Sequence, residues 1–248
     1  MKSTFAIAAA AAILTLAGCQ DKATENAAEG NAVASAPAVA PPAGTEWVST
    51  VTKTADGGFL IGNPNAKVKL VEYLSMTCPH CAEFGQTAFP PLRDKYIQKG
   101  TVSLEVRNYV RDPIDVTASL IARCNGAEPF LPLTEQLFGY QNAMFDRAQK
   151  LTQADQQRIG ALPQEQQFGA LAPLVGLDEF ARQHGISDAK LKTCLSDKAA
   201  LDELVAIQKK ANEELKILGT PTFFINDKML EATGTWEALE PQLIAAGA

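Results

Sequence analysis

Apolar positions along this chain switch between a period of two and the helical period, and the switches outline a fold. Trp47-Val48-Ser49-Thr50-Val51 alternates and predicts a strand, Asp56-Gly57-Gly58 a turn, and Phe59-Leu60-Ile61 the returning strand. After a second turn at Asn63-Pro64-Asn65, Val68–Leu74 reads as a buried central strand. Residues 82–98 carry Phe84, Phe89, Leu92, Tyr96 and Ile97 at helical spacing, with Pro90-Pro91 placed to kink or divide the helix and Gly100 to end it. Residues 102–106 alternate again, and the intervening helix predicts a parallel pairing with the central strand.

Asp112-Pro113 has the form of an N-cap followed by a first-turn proline, and Val116, Leu120, Ile121 and Cys124 then share one helical face before Gly126. Helix follows helix to about Lys216, with apolar positions in 133–138, 168–175, 178–184, 188–195 and 198–217. The strand pattern resumes at Thr222, Met229-Leu230 reads as a last edge strand, and 236–246 as a closing helix. The expected architecture is α/β, a strand–helix–strand and strand–strand–helix frame with a large inserted helical domain over about 113–216. The body, 47–248, is long enough for one substantial core.

Residues 1–18 stand apart. Lys2 precedes an uncharged apolar run over 5–16, the length of a secretory core and too short to span a membrane as a helix. The run ends in Leu16-Ala17-Gly18-Cys19, which resembles a bacterial lipobox. Residues 1–18 are therefore expected to be a lipoprotein signal peptide and Cys19 the lipidated residue, an ordinary signal peptide cut nearby being the alternative. Residues 19–46 are rich in Ala, Pro, Glu, Asn and Gly, which suits a disordered, lipid-anchored tether. The expected location is the periplasm, on the face of the outer or inner membrane. A formal net charge of −6 without a basic stretch argues against a nucleic-acid partner.

Cys78-Pro79-His80-Cys81 follows the central strand and opens a helix. Cysteines at this spacing can close a small disulfide ring. At a helix start the first thiolate is stabilised by unpaired backbone N–H groups and by the helix dipole. Cys78 is the candidate nucleophile for thiol–disulfide exchange, and Cys81, one turn inside, the resolving thiol. Zinc sites share the spacing, but the strand–turn–helix context favours redox chemistry. A protonated His80 would add positive charge beside Cys78; a solvated histidine without effect is the plain alternative. Glu72, in an apolar strand, either faces water or is buried for a purpose. With Cys19 lipidated and Cys78 assigned to Cys81, Cys124 and Cys194 remain to pair in an exported protein, or stand as two buried free thiols. His184, before Gly185, reads as a helix-end cap. Few further soft ligands are present, so neither metal nor cofactor is expected.

Gly219-Thr220-Pro221-Thr222-Phe223-Phe224-Ile225-Asn226 places a proline at the start of a β-branched and aromatic strand. Glu72, Cys78-Pro79-His80-Cys81, Thr220-Pro221 and the helices between them resemble the periplasmic thiol:disulfide interchange proteins of the DsbA type, in the thioredoxin superfamily. The resemblance runs from about residue 63 to the C-terminus. It implies a thioredoxin-like fold, with a cis-proline loop at Thr220-Pro221 that presents backbone to a substrate strand, and a Glu72 that moves protons to and from Cys81. It further implies a monomeric oxidase of reduced exported proteins, re-oxidised by a quinone-linked membrane protein of the DsbB type. Cys-Pro-His-Cys is typical of the oxidase branch, whereas threonine before the proline also occurs among isomerases. An isomerase or reductase is the alternative direction, and a thioredoxin-like binding lipoprotein without redox turnover the alternative class.

Overall fold

The structure, a computed structural model, describes residues 36–248; the expected signal peptide, Cys19 and the first part of the tether lie outside the described residues. Six strands form one sheet: β1 (Val51–Lys53), β2 (Phe59–Gly62), β3 (Val68–Leu74), β4 (Val102–Asn108), β5 (Thr222–Ile225) and β6 (Lys228–Met229). Their order is β1-β2-β4-β3-β5-β6. β3 and β4 are parallel, and the other neighbours are antiparallel. The parallel pair is connected by α1 (Pro79–Thr87), α2 (Phe89–Leu92) and a wide turn, Arg93–Ile97. Pro90 and Pro91 cannot donate backbone hydrogen bonds, so they occupy the first turn of α2 and the helix breaks before them.

Between β4 and β5 the described chain is helical: α3 (Pro113–Ala122), α4 (Phe130–Ala148), α5 (Gln153–Gly160), α6 (Gln164–Leu171), α7 (Leu177–Gln183), α8 (Asp188–Leu195) and α9 (Lys198–Glu213). A last helix, α10 (Trp236–Ala245), follows the sheet. Asp112 caps α3 by accepting from the N–H groups of Ile114 and Asp115 at 2.8 and 2.9 Å. Cys124, just beyond α3, is bonded to Cys194 of α8, with Cα atoms 5.4 Å apart across a sequence separation of 70. Among the described residues no helix is long and apolar enough to cross a membrane.

Strand parity sets the core. Val68, Leu70, Glu72 and Leu74 share one face of β3 and are all buried. The apolar members of that face belong to a core that includes Phe84 of α1, Phe223 of β5, and Leu239 and Leu243 of α10. Tyr73 and Phe224 point the other way, where Ile207 and Ala211 of α9 cover them. With both faces covered, β3 reads as a nearly continuous apolar run.

Two segments differ from the sequence reading. The alternating stretch at Trp47 forms a 3-10 turn, Trp47–Ser49, and only Val51–Lys53 joins the sheet. Trp47 is buried with its indole N–H donating to Val39 O at 2.7 Å, and the Val48 N–H is taken by Gln98 Oε1 at 2.9 Å. Those partners replace the strand ladder. The α5 helix carries no buried residue, so no apolar pattern announces it; a reciprocal Thr152–Asp155 capping box starts it. Residues 36–46 have neither helix nor strand, yet Ala36 N–H donates to Gly247 O at 3.0 Å and Val39 N–H to Lys99 O at 2.8 Å.

Candidate active site

β3 ends at Leu74, and Ser75-Met76-Thr77 leads into α1, whose N-cap is Cys78 with extended backbone. Pro79 takes the first helical position, where a missing N–H costs nothing. The N–H groups of His80 and Cys81 are left for the Cys78 sulfur. Both thiols are unbonded, so the structure represents the dithiol form.

Burial and hydrogen bonding drive the two thiols apart. Cys78 is pulled down to about 5, first by a hydrogen bond from the Cys81 thiol, then by Thr220 and the backbone N–H groups of Cys81 and His80, against burial, which pushes it up. Cys81 is 0 % exposed and held well above the ordinary thiol range, first by burial, then by its bond to Cys78 and the nearby negative charges. Glu72 is 4 % exposed and raised to about 8, by burial first and then by the charge on Cys78. At neutral pH the set is a thiolate at 78, a thiol at 81 and a neutral carboxyl at 72. In such a set Cys78 can depart from a mixed disulfide as a thiolate and Cys81 can be supplied with a proton.

The register Glu72↔Phe223 lays β5 against β3, which brings the loop before β5 up to the end of β3. Thr220-Pro221 is a cis peptide. The Thr220 carbonyl accepts from Cys78 Sγ at 3.1 Å, and the buried Thr220 hydroxyl has no hydrogen-bond partner among the described residues. His80, Glu83, Thr220, Pro221, Leu230 and Thr235 line an open cleft of about 340 Å³ beside the nucleophile. The His80 imidazole is 78 % exposed, 3.7 Å from the Glu83 carboxylate; its contact with the sulfur is through its backbone. His184 ends α7, its Nδ1 2.8 Å from Phe180 O.

Glu72, Cys78, Pro79, His80, Cys81, Thr220 and Pro221 thus converge. Cys124 and Cys194 belong to the helical segment instead. Sequence reasoning passed over the residues that hold the loop before Cys78. Gln141 of α4 donates through Nε2 to the carbonyls of Met76 and Cys78 at 2.9 and 3.0 Å. Asp115 of α3, 0 % exposed, accepts from the Ser75 hydroxyl at 2.5 Å and the Met76 N–H at 2.8 Å. In sequence Asp115 is an ordinary first-turn acid and Gln141 a polar helix position.

A family model described as Thioredoxin matches residues 54–244. The chain belongs to the thioredoxin family. Among solved members of like fold, the protein-disulfide isomerase of Novosphingobium aromaticivorans is 35 % identical, with a TM-score of 0.73 over 77 % of this chain and 98 % of that one. Wolbachia pipientis alpha-DsbA1 shares the fold at 20 % identity, with a TM-score of 0.61 over 76 % of this chain and 89 % of that one. A candidate protein-disulfide oxidoreductase of Rickettsia bellii is 28 % identical over 179 residues, 72 % of this chain and 61 % of that protein. The chain spans about three fifths of the length of the curated Rickettsia relatives it matches.

Proposed function

We propose that this thioredoxin-family chain is a protein-disulfide oxidoreductase that oxidises the thiols of exported proteins through a Cys78–Cys81 disulfide. The observation that carries the reading is the opposed ionisation of the two thiols above a buried, neutral Glu72. A substrate thiolate attacks Cys78 Sγ, the S–S bond breaks, and its electron pair goes to Cys81, which takes a proton from Glu72. A second substrate thiolate then attacks the substrate sulfur of the mixed disulfide, and Cys78 leaves as a thiolate. Two substrate thiols become one disulfide, the enzyme disulfide becomes a dithiol, and the electrons pass on to a quinone-linked membrane protein of the DsbB type. Stabilising the leaving thiolate stabilises the reduced enzyme alone, which makes the disulfide oxidising.

Cys81→Ser is expected to accumulate mixed disulfides on Cys78, and the purified oxidised wild type to convert a dithiol peptide to its disulfide. Trapping by Cys78→Ser in place of Cys81→Ser would reverse the assignment, and no peptide oxidation would leave a binding protein. Isomerisation is the second reading, favoured by the name of the Novosphingobium protein at 35 % identity. Faster rescue of scrambled ribonuclease than oxidation of the reduced form would select it.

The location proposed is the periplasmic face of a membrane, with the protein a monomer held through acylated Cys19. Two acyl chains suffice for stable anchoring at ~0.8 kcal/mol per buried CH₂. The tether would let one enzyme reach both soluble substrates and a membrane partner. Cys19→Ala is expected to move the protein from the membrane pellet to the soluble fraction with peptide oxidation unchanged; continued sedimentation with membranes would rule the anchor out.

A further inference from the structure

The loop before the nucleophile is held by a hydrogen-bond network. The Ser75 hydroxyl donates to Asp115 Oδ2 at 2.5 Å and the Thr77 hydroxyl to Asp112 Oδ2 at 3.0 Å. Each hydroxyl has one proton, so both oxygens remain as acceptors. Arg111 fills them together, Nε on Ser75 Oγ at 2.9 Å and Nη2 on Thr77 Oγ1 at 3.1 Å. Asp115 also accepts the N–H of Met76 at 2.8 Å and of Arg111 at 3.1 Å. Ser75, Met76 and Thr77, the three residues before Cys78, are thus each tied to the junction of β4 and α3.

The same loop meets the backbone of Cys78 and the sulfur of Cys81. Cys78 N–H donates to the Ser75 carbonyl at 3.1 Å, and a backbone hydrogen bond from Ser75 reaches Cys81. Holding the loop does not by itself require a buried charge, since Gln141 grips its other side with a neutral amide. A buried carboxylate is costly, and burial raises Asp115 to about 7 against the donors that lower it. Arg111 Nε is 4.0 Å from Asp115 Oδ2 and spends its hydrogen bonds on the hydroxyls. Above its pKa the carboxylate is an acceptor for three donors and presents no donor of its own, which an amide cannot reproduce.

We propose that Asp115 is a positioning residue for the redox centre: with Ser75 and Arg111 it fixes residues 75–77 so that the N–H groups of His80 and Cys81 stay aimed at Cys78, and thereby makes the disulfide more oxidising. The proposal rests on the redox reading above. Two effects of Asp115 oppose each other. Where it is ionised, its negative charge disfavours a nearby thiolate, while the alignment it enforces favours one. The sign of the change on its removal therefore separates positioning from simple electrostatics.

The test uses the purified full chain and the variants Asp115→Asn, Ser75→Ala and their combination. Cys78 is titrated by thiolate absorbance, and the enzyme is equilibrated with reduced and oxidised glutathione. Each single variant is expected to raise the Cys78 pKa by about one unit and to make the enzyme about tenfold less oxidising. The double variant is expected to go no further than the larger single effect, because both substitutions break the same bond. Ser75→Ala leaves the buried acid and all backbone donors in place, so it decides the matter if Asp115→Asn does not fold. An unchanged or lowered Cys78 pKa in a folded variant, with only thermal stability reduced, overturns the inference. A wild-type Cys78 that titrates near the ordinary value, ~8.5, overturns the redox reading and this inference with it. A low wild-type value matched by the variants overturns this inference alone.

Discussion

The reduced protein is expected to gain stability over the oxidised protein as pH rises from 5 to 7, by roughly 5–9 °C in melting temperature. The thiol of Cys78 titrates at about 5 in the folded dithiol form and at ~8.5 in an unfolded chain. A depressed folded value gives stability that is complete above the unfolded value and is lost as pH falls through the folded one. At pH 7 about two units of it survive against about 0.3 at pH 5, a difference of about 2.3 kcal/mol at 1.36 kcal/mol per unit. The oxidised form has no thiol and lacks this contribution. Its four-residue ring constrains the unfolded chain by ~2 kcal/mol in the chain-entropy model, independently of pH. Burial of Glu72 is common to both forms and cancels in the difference; its repulsion by the Cys78 thiolate, the smaller cause of its raised value, belongs to the reduced form alone and subtracts from the gain. The reduced form should therefore melt below the oxidised form near pH 5 and above it at pH 7. Paired melts across that interval check the result; a gap that does not move with pH would mean that Cys78 is an ordinary thiol and the oxidase direction is wrong.

Replacing Cys124 and Cys194 together by alanine is expected to cost about 4 kcal/mol, or roughly 8–16 °C of melting temperature. The bond spans a sequence separation of 70, and opening a loop of that length frees the unfolded chain. It lies at the C-terminal end of α3, whereas Asp115 holds the redox loop from the N-terminal end. The Cys78 titration should consequently be unchanged in the variant. Alkylation of either cysteine in the native oxidised protein, or a melting temperature equal to that of the wild type, would show that the bond does not contribute.

What could be read from the sequence was local in the chain. The helix start at Cys78-Pro79-His80-Cys81 was legible because strand, turn, N-cap and first-turn proline are consecutive residues. The Asp112-Pro113 start of α3 was legible for the same reason. Parity along β3 already places Glu72 on the face of Val68, Leu70 and Leu74, but its burial depended on Phe223 and α1 closing over that face. At Trp47 the same alternation misled, because period two is a property of side chains and a strand needs a partner backbone. The helix at α5 was silent, since its stability comes from capping and not from an apolar face.

Tertiary structure alone decided the second half of the site. Thr220 is 142 residues from the sulfur its carbonyl meets, Gln141 is 63 and 65 residues from the carbonyls it grips, and Asp115 is 40 from Ser75. None of these pairs shares a periodicity. They meet because β5 pairs with β3 and because α3 and α4 return to its end. The sequence by itself determined where a reactive dithiol would begin, as neighbouring residues dictate helix starts. Only the packed fold decided how acidic Cys78 becomes, because that depends on donors, burial and charges brought together across the chain.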